Sequence, residues 1–330
     1  MSMDQPVSLS VVIVSFNTCG LLRECLHDLQ QELADIPSEV FVVDNNSADG
    51  SADMVATDFV TVKLIRSSVN LGFAAANNRA FPLCKGKYVV LLNSDAFLRP
   101  AALQRAIEHM ESRPAAGLGG AKLIGRDGSW QPSARMFPSL LNEFLSLSGL
   151  SEKFPKSRFF GRQDRTWADQ AEPAQTDWVP GAFAIIRRDV LEQIKYFDEA
   201  FFLYHEEVDL CRRIKQAGYE IWYWPDVVVV HLGGESSKTV QSLSMSGSGA
   251  QLTLWRMRSE LIYYRKHLGC AAWFVRMLEE LWHVIRSWKN AGSDDPIRVA
   301  KARDSRRTIS LMQQAWCETQ GGRLSPARPW

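Results

Sequence analysis

The first third of the chain alternates between short apolar runs and longer segments in which apolar residues recur at helical spacing. The apolar runs are rich in β-branched residues and are typical of strands buried on both faces. Strands are predicted at Leu9–Ser15, Glu39–Asp44, Val60–Ile65 and Lys87–Leu92, and helices at Leu21–Leu33, Ala74–Cys84 and Pro100–Ser112. This order predicts an α/β fold with a parallel or mostly parallel sheet and helices on both faces.

Polar residues follow three of these strands directly, at Ser15–Asn17, Asp44–Asn46 and Asn93–Asp95. In open α/β sheets, ligands bind outside the carboxyl ends of the parallel strands. We therefore expect the functional site at this edge of the sheet.

The middle of the chain loses the regular alternation. Residues 126–177 mix glycine, proline, arginine and aromatic residues with weak periodicity, which predicts a long loop region. Beyond it we predict a strand at Trp178–Arg187, a helix that ends at Gly218, and strands at Glu220–Trp224 and Val227–His231. Pro225 and Asp226 are expected to separate the last two strands.

The tail begins with a segment rich in serine and glycine. We expect Ser242–Ala250 to be a mobile lid that donor and metal would order. Two helices joined near Gly269 should follow, each with apolar residues at heptad spacing. These residues are Leu254, Met257, Leu261, Tyr264 and Leu268 in the first helix, and Phe274, Leu278, Leu281, Ile285 and Trp288 in the second.

The net charge of +1 hides an uneven distribution. Lys and Arg number 38 against 37 Asp and Glu, a balance that argues against a general nucleic-acid binder. From Trp255 to the end, however, 14 basic residues face 7 acidic ones, and six of the 11 Trp lie in this segment. A basic tail rich in tryptophan suits a membrane surface, the body of the protein or a second subunit.

The sequence also bears on the compartment. The six cysteines are scattered and form no CxxC pair, which favours free thiols in a reducing compartment. The amino-terminal segment has no basic region before its apolar run, and no run of about 18 uncharged apolar residues occurs. We expect a cytoplasmic protein without a membrane span, with peripheral contact at the inner face of the cytoplasmic membrane as an open alternative.

Metal-capable residues follow several predicted strands. They are Asp44, Asp95, the group Glu206, Glu207 and Asp209, and His231. Carboxylates that share one crevice repel each other unless a cation lies among them. Asp95 and His231 could meet at one metal, with oxygen ligands favouring Mg²⁺ or Mn²⁺ and the imidazole favouring Mn²⁺. Read alone, each residue also has a structural alternative, since the two aspartates could cap helices and the histidine could serve packing.

Seven segments in order carry a resemblance to a known family. They are SVVIVSFN, VVDNNSADGS, NLGFAAANN, YVVLLNSD, WVPGAFAIIRRD, FFLYHEEVDLCRRIKQAGY and VVVVHLGG. Together they resemble family 2 inverting glycosyltransferases with a GT-A fold, and within these the rhamnosyltransferase-like and galactofuranosyltransferase-like members. The resemblance covers roughly residues 8–235 and implies a catalytic domain at 1–240, with 126–177 as its acceptor region. Residues 241–330 would then be a loop and a helical extension.

The resemblance implies a role for each matching residue. Those near the nucleotide and diphosphate would be Ser15, Asn17, Asp44, Asn70, Gly72, Asn77, Asn93 and Ser94. Asp44 matches the acid that accepts the N–H of a pyrimidine base. Asn93-Ser94-Asp95 matches the DxD motif with Asn in place of the first acid, so Asp95 would be the main carboxylate ligand and His231 the second ligand of Mn²⁺ or Mg²⁺.

The remaining roles concern the acceptor. Glu207 matches the general base, with Glu206 beside it and Asp209 as the second choice. Trp178, Gly181 and His205 would adjoin the acceptor, although core packing explains the first two equally well.

The implied reaction moves a sugar, with L-rhamnose from dTDP-rhamnose favoured, from a pyrimidine nucleoside diphosphate (dTDP or UDP) to a glycan or lipid-linked glycan. The setting would be bacterial surface polysaccharide synthesis. Two alternatives stay open: a galactofuranosyl- or other hexosyltransferase of this fold, and a non-catalytic protein that binds nucleotide sugars or acts as a scaffold.

Overall fold

The computed structural model describes residues 7–233 and 250–327. The strands of this part are β1 (Leu9–Ser15), β2 (Ser38–Asp44), β3 (Lys63–Arg66), β4 (Tyr88–Asn93), β5 (Ala96–Leu98), β6 (Ala116–Ile124), β7 (Trp130–Gln131), β8 (Ala174–Gln175), β9 (Phe183–Arg187) and β10 (Glu220–His231). Its helices are α1 (Cys19–Glu32), α2 (Ser51–Asp58), α3 (Phe73–Ala80), α4 (Ala102–Ser112), α5 (Leu140–Leu147), α6 (Leu150–Lys153), α7 (Arg188–Gln193), α8 (Glu206–Gln216), α9 (Ala250–Leu268), α10 (Ala271–Asn290) and α11 (Pro296–Glu318).

The described strands form a single mixed sheet in the order β3-β2-β1-β4-β9-β6-β10-β5, with β7 beside β6 and β8 beside β10. Pairing is parallel from β3 to β4 and between β6 and β10. Strand β9 runs antiparallel between β4 and β6, and β5 runs antiparallel to β10. The expected α/β sheet with flanking helices is confirmed, but the sheet is mixed, because β9 and β5 are short strands that return along their neighbours.

Sheet direction decides where the polar strand ends meet. Because β9 is antiparallel to both of its neighbours, β6 and β10 point the same way as β1, β2 and β4. The carboxyl ends of these strands therefore lie at one edge, as predicted. Strand β5 then places Ala96 opposite His231, and the N–H of Leu232 donates to the carbonyl of Asp95 at 3.2 Å.

One predicted break is absent. The segments expected as two strands form the continuous strand β10, which carries a register shift between Trp224 and Val228. Pro225 has no N–H to donate, so the bulge accommodates it without ending the strand.

The remaining elements lie in the predicted loop region and the tail. Residues 126–177 contain α5, α6 and the short strands β7 and β8. The tail has a third helix, α11, beyond the two that were predicted; Asp295 caps its first turn by accepting the N–H of Ile297. Of the predicted lid, residues 242–249 lie outside the described residues. Within residues 7–233 and 250–327, no helix is long and apolar enough to cross a bilayer.

The tail shares its core with the body. Leu254, Met257, Leu261 and Tyr264 of α9 are buried in the same apolar cluster as Leu91 of β4. The first heptad set therefore packs on the body of the protein, one of the alternatives that the sequence left open, and α9 is part of the structure that supports the site.

Candidate active site

A cavity of about 310 Å³ opens at the carboxyl edge of the sheet. Its walls come from the strand ends, the α3 entry, the segment before α8, and the start of α9. The lining residues are Val14, Phe16, Asn45, Asn70, Gly72, Phe73, Asn93, Ser94, Asp95, Pro180, Gly181, Ala182, Phe202, Leu203, Tyr204, Glu206, Glu207, His231, Gln251, Leu252 and Trp255. Nine of the sixteen residues predicted for the site line this cavity. They are Asn70, Gly72, Asn93, Ser94, Asp95, Gly181, Glu206, Glu207 and His231.

Asp95 and His231 form a close pair in this cavity. Nε2 of His231 lies 3.6 Å from Oδ1 of Asp95 and 3.5 Å from Nδ2 of Asn93. Burial lowers the pKa of His231, although the charge of Asp95 opposes the effect, so the imidazole is favoured in its neutral form.

Gln131 fixes the orientation of this imidazole. Its side chain donates from Nε2 to the backbone carbonyl of His231 at 2.8 Å, and its Oε1 lies 3.1 Å from Nδ1 of the ring. Since Oε1 only accepts, the proton belongs on Nδ1, which leaves the Nε2 lone pair facing Asp95.

Glu206 and Glu207 open helix α8, where the positive end of the helix dipole favours carboxylates. Glu206 is buried, and burial together with the charge of Glu207 raises its pKa well above the usual range. Burial also raises the pKa of Glu207, while backbone hydrogen bonds and the charge of Arg135 act in the opposite direction. Each residue has a buried Oε2 without a hydrogen-bond partner. Two adjacent carboxyl groups with raised pKa values therefore adjoin the cavity.

A polar loop forms another part of the cavity wall. Asn45 donates from Nδ2 to Oδ1 of Asn70 at 2.9 Å, and its Oδ1 accepts the N–H of Leu71 at 2.7 Å. Gly72 has a φ of +80°, and a Cβ there would lie 2.3 Å from the carbonyl oxygen of Phe202. The sequence suggested that Gly72 allows the close approach of a ligand. In the structure, its missing side chain also allows the close approach of the Phe202 backbone.

A second set of polar residues lies at the ends of β1 and β2, next to residues that line the cavity. Asp44 is buried; its Oδ2 accepts the N–H of Ser47 at 3.1 Å, and its Oδ1 has no hydrogen-bond partner. Asn17 accepts the N–H of Ala48 through Oδ1 at 2.7 Å. Ser15 is fully buried and bonds to Thr18, so its hydroxyl is used within the fold.

Four further predicted residues do not line the cavity. Asn77 donates to the carbonyl of Phe73, and Trp178 donates through its indole N–H to the carbonyl of Met136. His205 precedes α8 in a left-handed conformation (φ 64°), and burial lowers its pKa to about 3. Asp209 is fully buried and pairs with Arg213, Lys266 and His267.

The ion pairs of Asp209 indicate a structural role, whereas the sequence made this residue the second choice of general base. Burial would raise its pKa, but the hydrogen bond from His267 and the charges of Arg213 and Lys266 outweigh burial and hold the pKa at about 2. Since Lys266 and His267 belong to α9, this carboxylate links the tail to α8. It is engaged by three side chains and does not line the cavity.

Comparison with known proteins decides the family. The model of the family "Glycosyl transferase family 2" matches residues 10–195, more than half of the chain. The chain belongs to glycosyl transferase family 2. This confirms the expected family and makes the protein a glycosyltransferase, of a family whose typical mechanism inverts the anomeric centre.

Two relatives are rhamnosyltransferases. The N-acetylglucosaminyl-diphospho-decaprenol L-rhamnosyltransferase of Mycobacterium tuberculosis (strain ATCC 25618 / H37Rv) is 29% identical over 238 residues, which cover 68% of this chain and 75% of the relative. Rhamnosyltransferase WbbL of Escherichia coli (strain K12) is 23% identical over 265 residues, which cover 77% of this chain and 91% of the relative.

A solved structure supports the fold. The mannosyltransferase PcManGT from Pyrobaculum calidifontis, in complex with GDP-Man and Mn²⁺, is 16% identical, with a TM-score of 0.57 over 96% of this chain and 87% of that one. The likeness confirms the GT-A fold with its C-terminal helices.

In this family 2 glycosyltransferase, the donor set of Asp95 and His231 fits a divalent cation. Ligand atoms that share one such ion at about 2.1 Å stand roughly 3.0–3.5 Å apart. The 3.6 Å between Nε2 and Oδ1 is close to this separation and too long for a hydrogen bond. The tautomer that Gln131 imposes presents a lone pair, which a metal ligand needs.

Sequence reasoning missed the contribution of α9 to this glycosyltransferase site. The ring of Trp255 packs on Phe202 with 4.3 Å between ring centroids, and Ser259 donates to the carbonyl of Leu203 at 2.8 Å. Phe202 also accepts the N–H of Phe73, so one segment joins the α3 entry to the tail. The tryptophan-rich composition of the tail was a signal, but nothing local linked Trp255 to the cavity.

Proposed function

We propose that this glycosyltransferase moves L-rhamnose from dTDP-rhamnose to a glycan or lipid-linked glycan, with inversion at the anomeric carbon. The observation that carries the chemistry is the placement of Glu207 and the pair Asp95–His231 on one cavity. The choice of rhamnose rests on the names of the two relatives and on the resemblance of the motifs.

Glu207 is the general base of the proposed reaction. The acceptor hydroxyl gives its proton to the Glu207 carboxylate as its oxygen attacks the anomeric carbon, and the bond from that carbon to the diphosphate oxygen breaks. The leaving nucleoside diphosphate takes the electron pair. Burial raises the pKa of Glu207, which strengthens it as a base. Burial and the charge of Glu207 raise the pKa of Glu206 well above the usual range, so Glu206 is the candidate for a protonated neighbour that donates a hydrogen bond.

Asp95 and His231 would hold a divalent cation, Mn²⁺ or Mg²⁺, with Asn93 as a neutral neighbour. Such an ion supplies Lewis-acid stabilisation of the charge that grows on the departing diphosphate. The polar loop of Asn45 and Asn70 also lines the cavity and would orient the ribose and diphosphate.

Asp44 would select the base. Its Oδ1 is buried and lacks a partner, and a buried carboxylate oxygen gains from the imide N–H of uracil or thymine. Asp44→Ala should therefore weaken binding of dTDP and UDP by about tenfold or more, with a smaller effect on purine nucleotides.

A thermal-shift screen tests the donor. Nucleoside diphosphates and their sugars are added with Mn²⁺ or Mg²⁺, because a ligand that binds the folded state raises the unfolding temperature by mass action. We expect the largest rise with dTDP-rhamnose, followed by release of dTDP when acceptor is added. A larger rise with UDP-galactofuranose would assign that donor instead, and binding without turnover of any donor would favour a non-catalytic protein.

The proposed location is the cytoplasm, at the inner face of the membrane. All six cysteines are free thiols, which suits a reducing compartment.

A further inference from the structure

Helix α10 turns its apolar side outward. Seven of its eight exposed residues are apolar, and they recur every three or four positions along one face. We call this set the α10 face: Trp273, Phe274, Met277, Leu281, Val284, Ile285 and Trp288. Trp288 is 78% exposed and Leu281 57%. An exposed row of this kind marks a surface that meets another apolar phase.

The inward side of α10 is mixed, with Ala272 and Val275 buried beside one acidic residue. It buries Glu279, whose carboxylate oxygen lies within 4.8 Å of those of Glu143 and Glu260. A surface helix of a protein that is covered only by water carries the opposite arrangement, with its polar residues outside. The outer side of α10 is therefore better suited to contact with an apolar partner than to contact with water.

The apolar surface continues beyond this helix. Helix α5 packs against α10 and exposes Leu140, Leu141 and Phe144. Phe154 and Phe159, which follow shortly after it in the chain, are exposed as well.

Cations border the α10 face. A cavity of about 290 Å³ at the carboxyl-terminal half of α10 is lined by Trp282, Ile285, Arg286, Lys289, Asn290 and Lys301. Three of these residues are basic and none is acidic. Ile285 belongs to both the cavity and the α10 face, so the two surfaces adjoin.

We propose that the α10 face and this cationic cavity dock the protein on the surface of an anionic phospholipid bilayer. The aromatic and aliphatic side chains enter the headgroup region, and Arg286, Lys289 and Lys301 receive a lipid phosphate. Apolar residues beside basic ones are the combination by which a helix lies in a membrane interface. Since no exposed residue of α10 is acidic, a second copy of this face would offer the cations no partner.

Vesicle flotation with the full chain tests this docking. The vesicles contain phosphatidylcholine alone or with phosphatidylglycerol, and no sugar donor is present, so the outcome does not depend on the proposed reaction. We expect the protein to float with the anionic vesicles and much less with the neutral ones. Added salt should weaken the binding, because it screens the cations.

Two variants divide the interaction. Leu281→Glu with Trp288→Glu should lower the bound fraction by about tenfold or more, since apolar burial is lost. Arg286→Glu with Lys289→Glu should remove the preference for anionic vesicles, at roughly fivefold per cation. Matched controls are Val60→Glu, at an exposed apolar residue between α2 and β3, and Lys85→Glu with Arg99→Glu, at exposed cations of the body.

The changed residues are exposed or line an open cavity, so each variant should keep the thermal unfolding curve of the parent. Equal flotation of parent and α10 variants, or no flotation at any phosphatidylglycerol content, would overturn the proposal. A concentration-dependent dimer that the Leu281→Glu and Trp288→Glu changes dissociate, without vesicle binding by the parent, would assign the face to a second copy instead.

Discussion

Nε2 of His231 faces Oδ1 of Asp95 across 3.6 Å, and Gln131 holds the ring from the other side. The two residues are 136 positions apart in the sequence, but the antiparallel pairing of β5 with β10 makes them neighbours. Their geometry depends on a side chain that touches neither substrate nor metal in the proposed reaction. Gln131 is therefore a positioning residue.

Gln131→Leu should weaken metal binding by about 10–100-fold, because the imidazole loses the partner that fixes its tautomer. Titration of Mn²⁺ into the protein, followed by calorimetry, measures the effect without turnover. Gln131→Glu restores an acceptor for the Nδ1 proton and should recover much of the affinity. Unchanged affinity in Gln131→Leu would show that Gln131 does not position His231 for a metal.

Glu207→Gln should lower the rate of transfer by about 10²–10⁴-fold and leave binding of the donor nearly unchanged, since only proton removal from the acceptor is lost. Single-turnover kinetics together with calorimetric donor binding separate the two quantities. Glu108→Gln on α4 is the matched control, because Glu108 is exposed and does not line the cavity. Full activity in Glu207→Gln would exclude this base.

The pH dependence of the transfer rate should reflect the pKa of Glu207. Burial raises the pKa of Glu207, so the active carboxylate becomes protonated at a higher pH than an ordinary glutamate would. The rate at saturating substrate should thus fall on the acid side with a midpoint above about 4.5. An acid limb at or below the ordinary glutamate range would contradict the proposed environment.

Asp209→Asn distinguishes an anchor from a base. The change removes the buried carboxylate that pairs with Arg213 and His267, whereas Lys266 keeps its ion pair with Asp198. Loss of this buried charge should cost about 3 kcal/mol of unfolding free energy. The depressed pKa of Asp209, about 2, means that its contribution is present above about pH 4 and is lost as the pH falls toward 2. Urea unfolding at neutral and acid pH measures both effects. If the folded fraction of Asp209→Asn lost catalysis as fully as Glu207→Gln, Asp209 would regain its place as a base candidate.

Glu279→Gln should stabilise the protein in mildly alkaline buffer. Burial raises the pKa of Glu279 to about 7, with Arg256 opposing and Glu143 adding to the rise. A raised acid pKa means that the folded state keeps a proton that the unfolded chain releases, so stability falls as the pH rises from about 4.5 through 7. The neutral amide avoids this loss, which amounts to at most about 3 kcal/mol. Thermal unfolding is measured at pH 6 and pH 8, about one unit below and above this pKa. The unfolding temperature should differ less between the two pH values for the variant than for the parent.

The local sequence pattern was sufficient to predict where the strands end. It was insufficient to predict which acidic side chain of α8 faces the cavity. Glu207 and Asp209 are two residues apart, about 200° around a helix at roughly 100° per residue, so they must face different surroundings. The sequence shows this separation but not which side holds the substrate. Lys266 and His267 occupy the side that carries Asp209, and they come from a helix that begins more than thirty residues later.

The two heptad sets of the tail show the same limit. Leu254, Met257 and Leu261 of the first set are buried against the body, whereas Leu281, Ile285 and Trp288 of the second are exposed. Periodicity identifies the apolar face of a helix, but it does not reveal whether the fold supplies something to cover that face. The Asp295-Pro296 start of α11 was a readable helix signal, which the charged composition of the following segment obscured.

The wall that Trp255 and Leu252 provide has a consequence for how the enzyme comes into being. Apart from the adjacent Gln251, every other lining residue, from Val14 to His231, precedes this wall in the chain. During synthesis from the amino terminus, residues 10–195, which match the family model, would emerge before Glu207, His231 and the start of α9, so the cavity would still be incomplete. The cavity wall would thus be complete only when the start of α9 has left the ribosome, so a segment outside the residues matched by the family model finishes it.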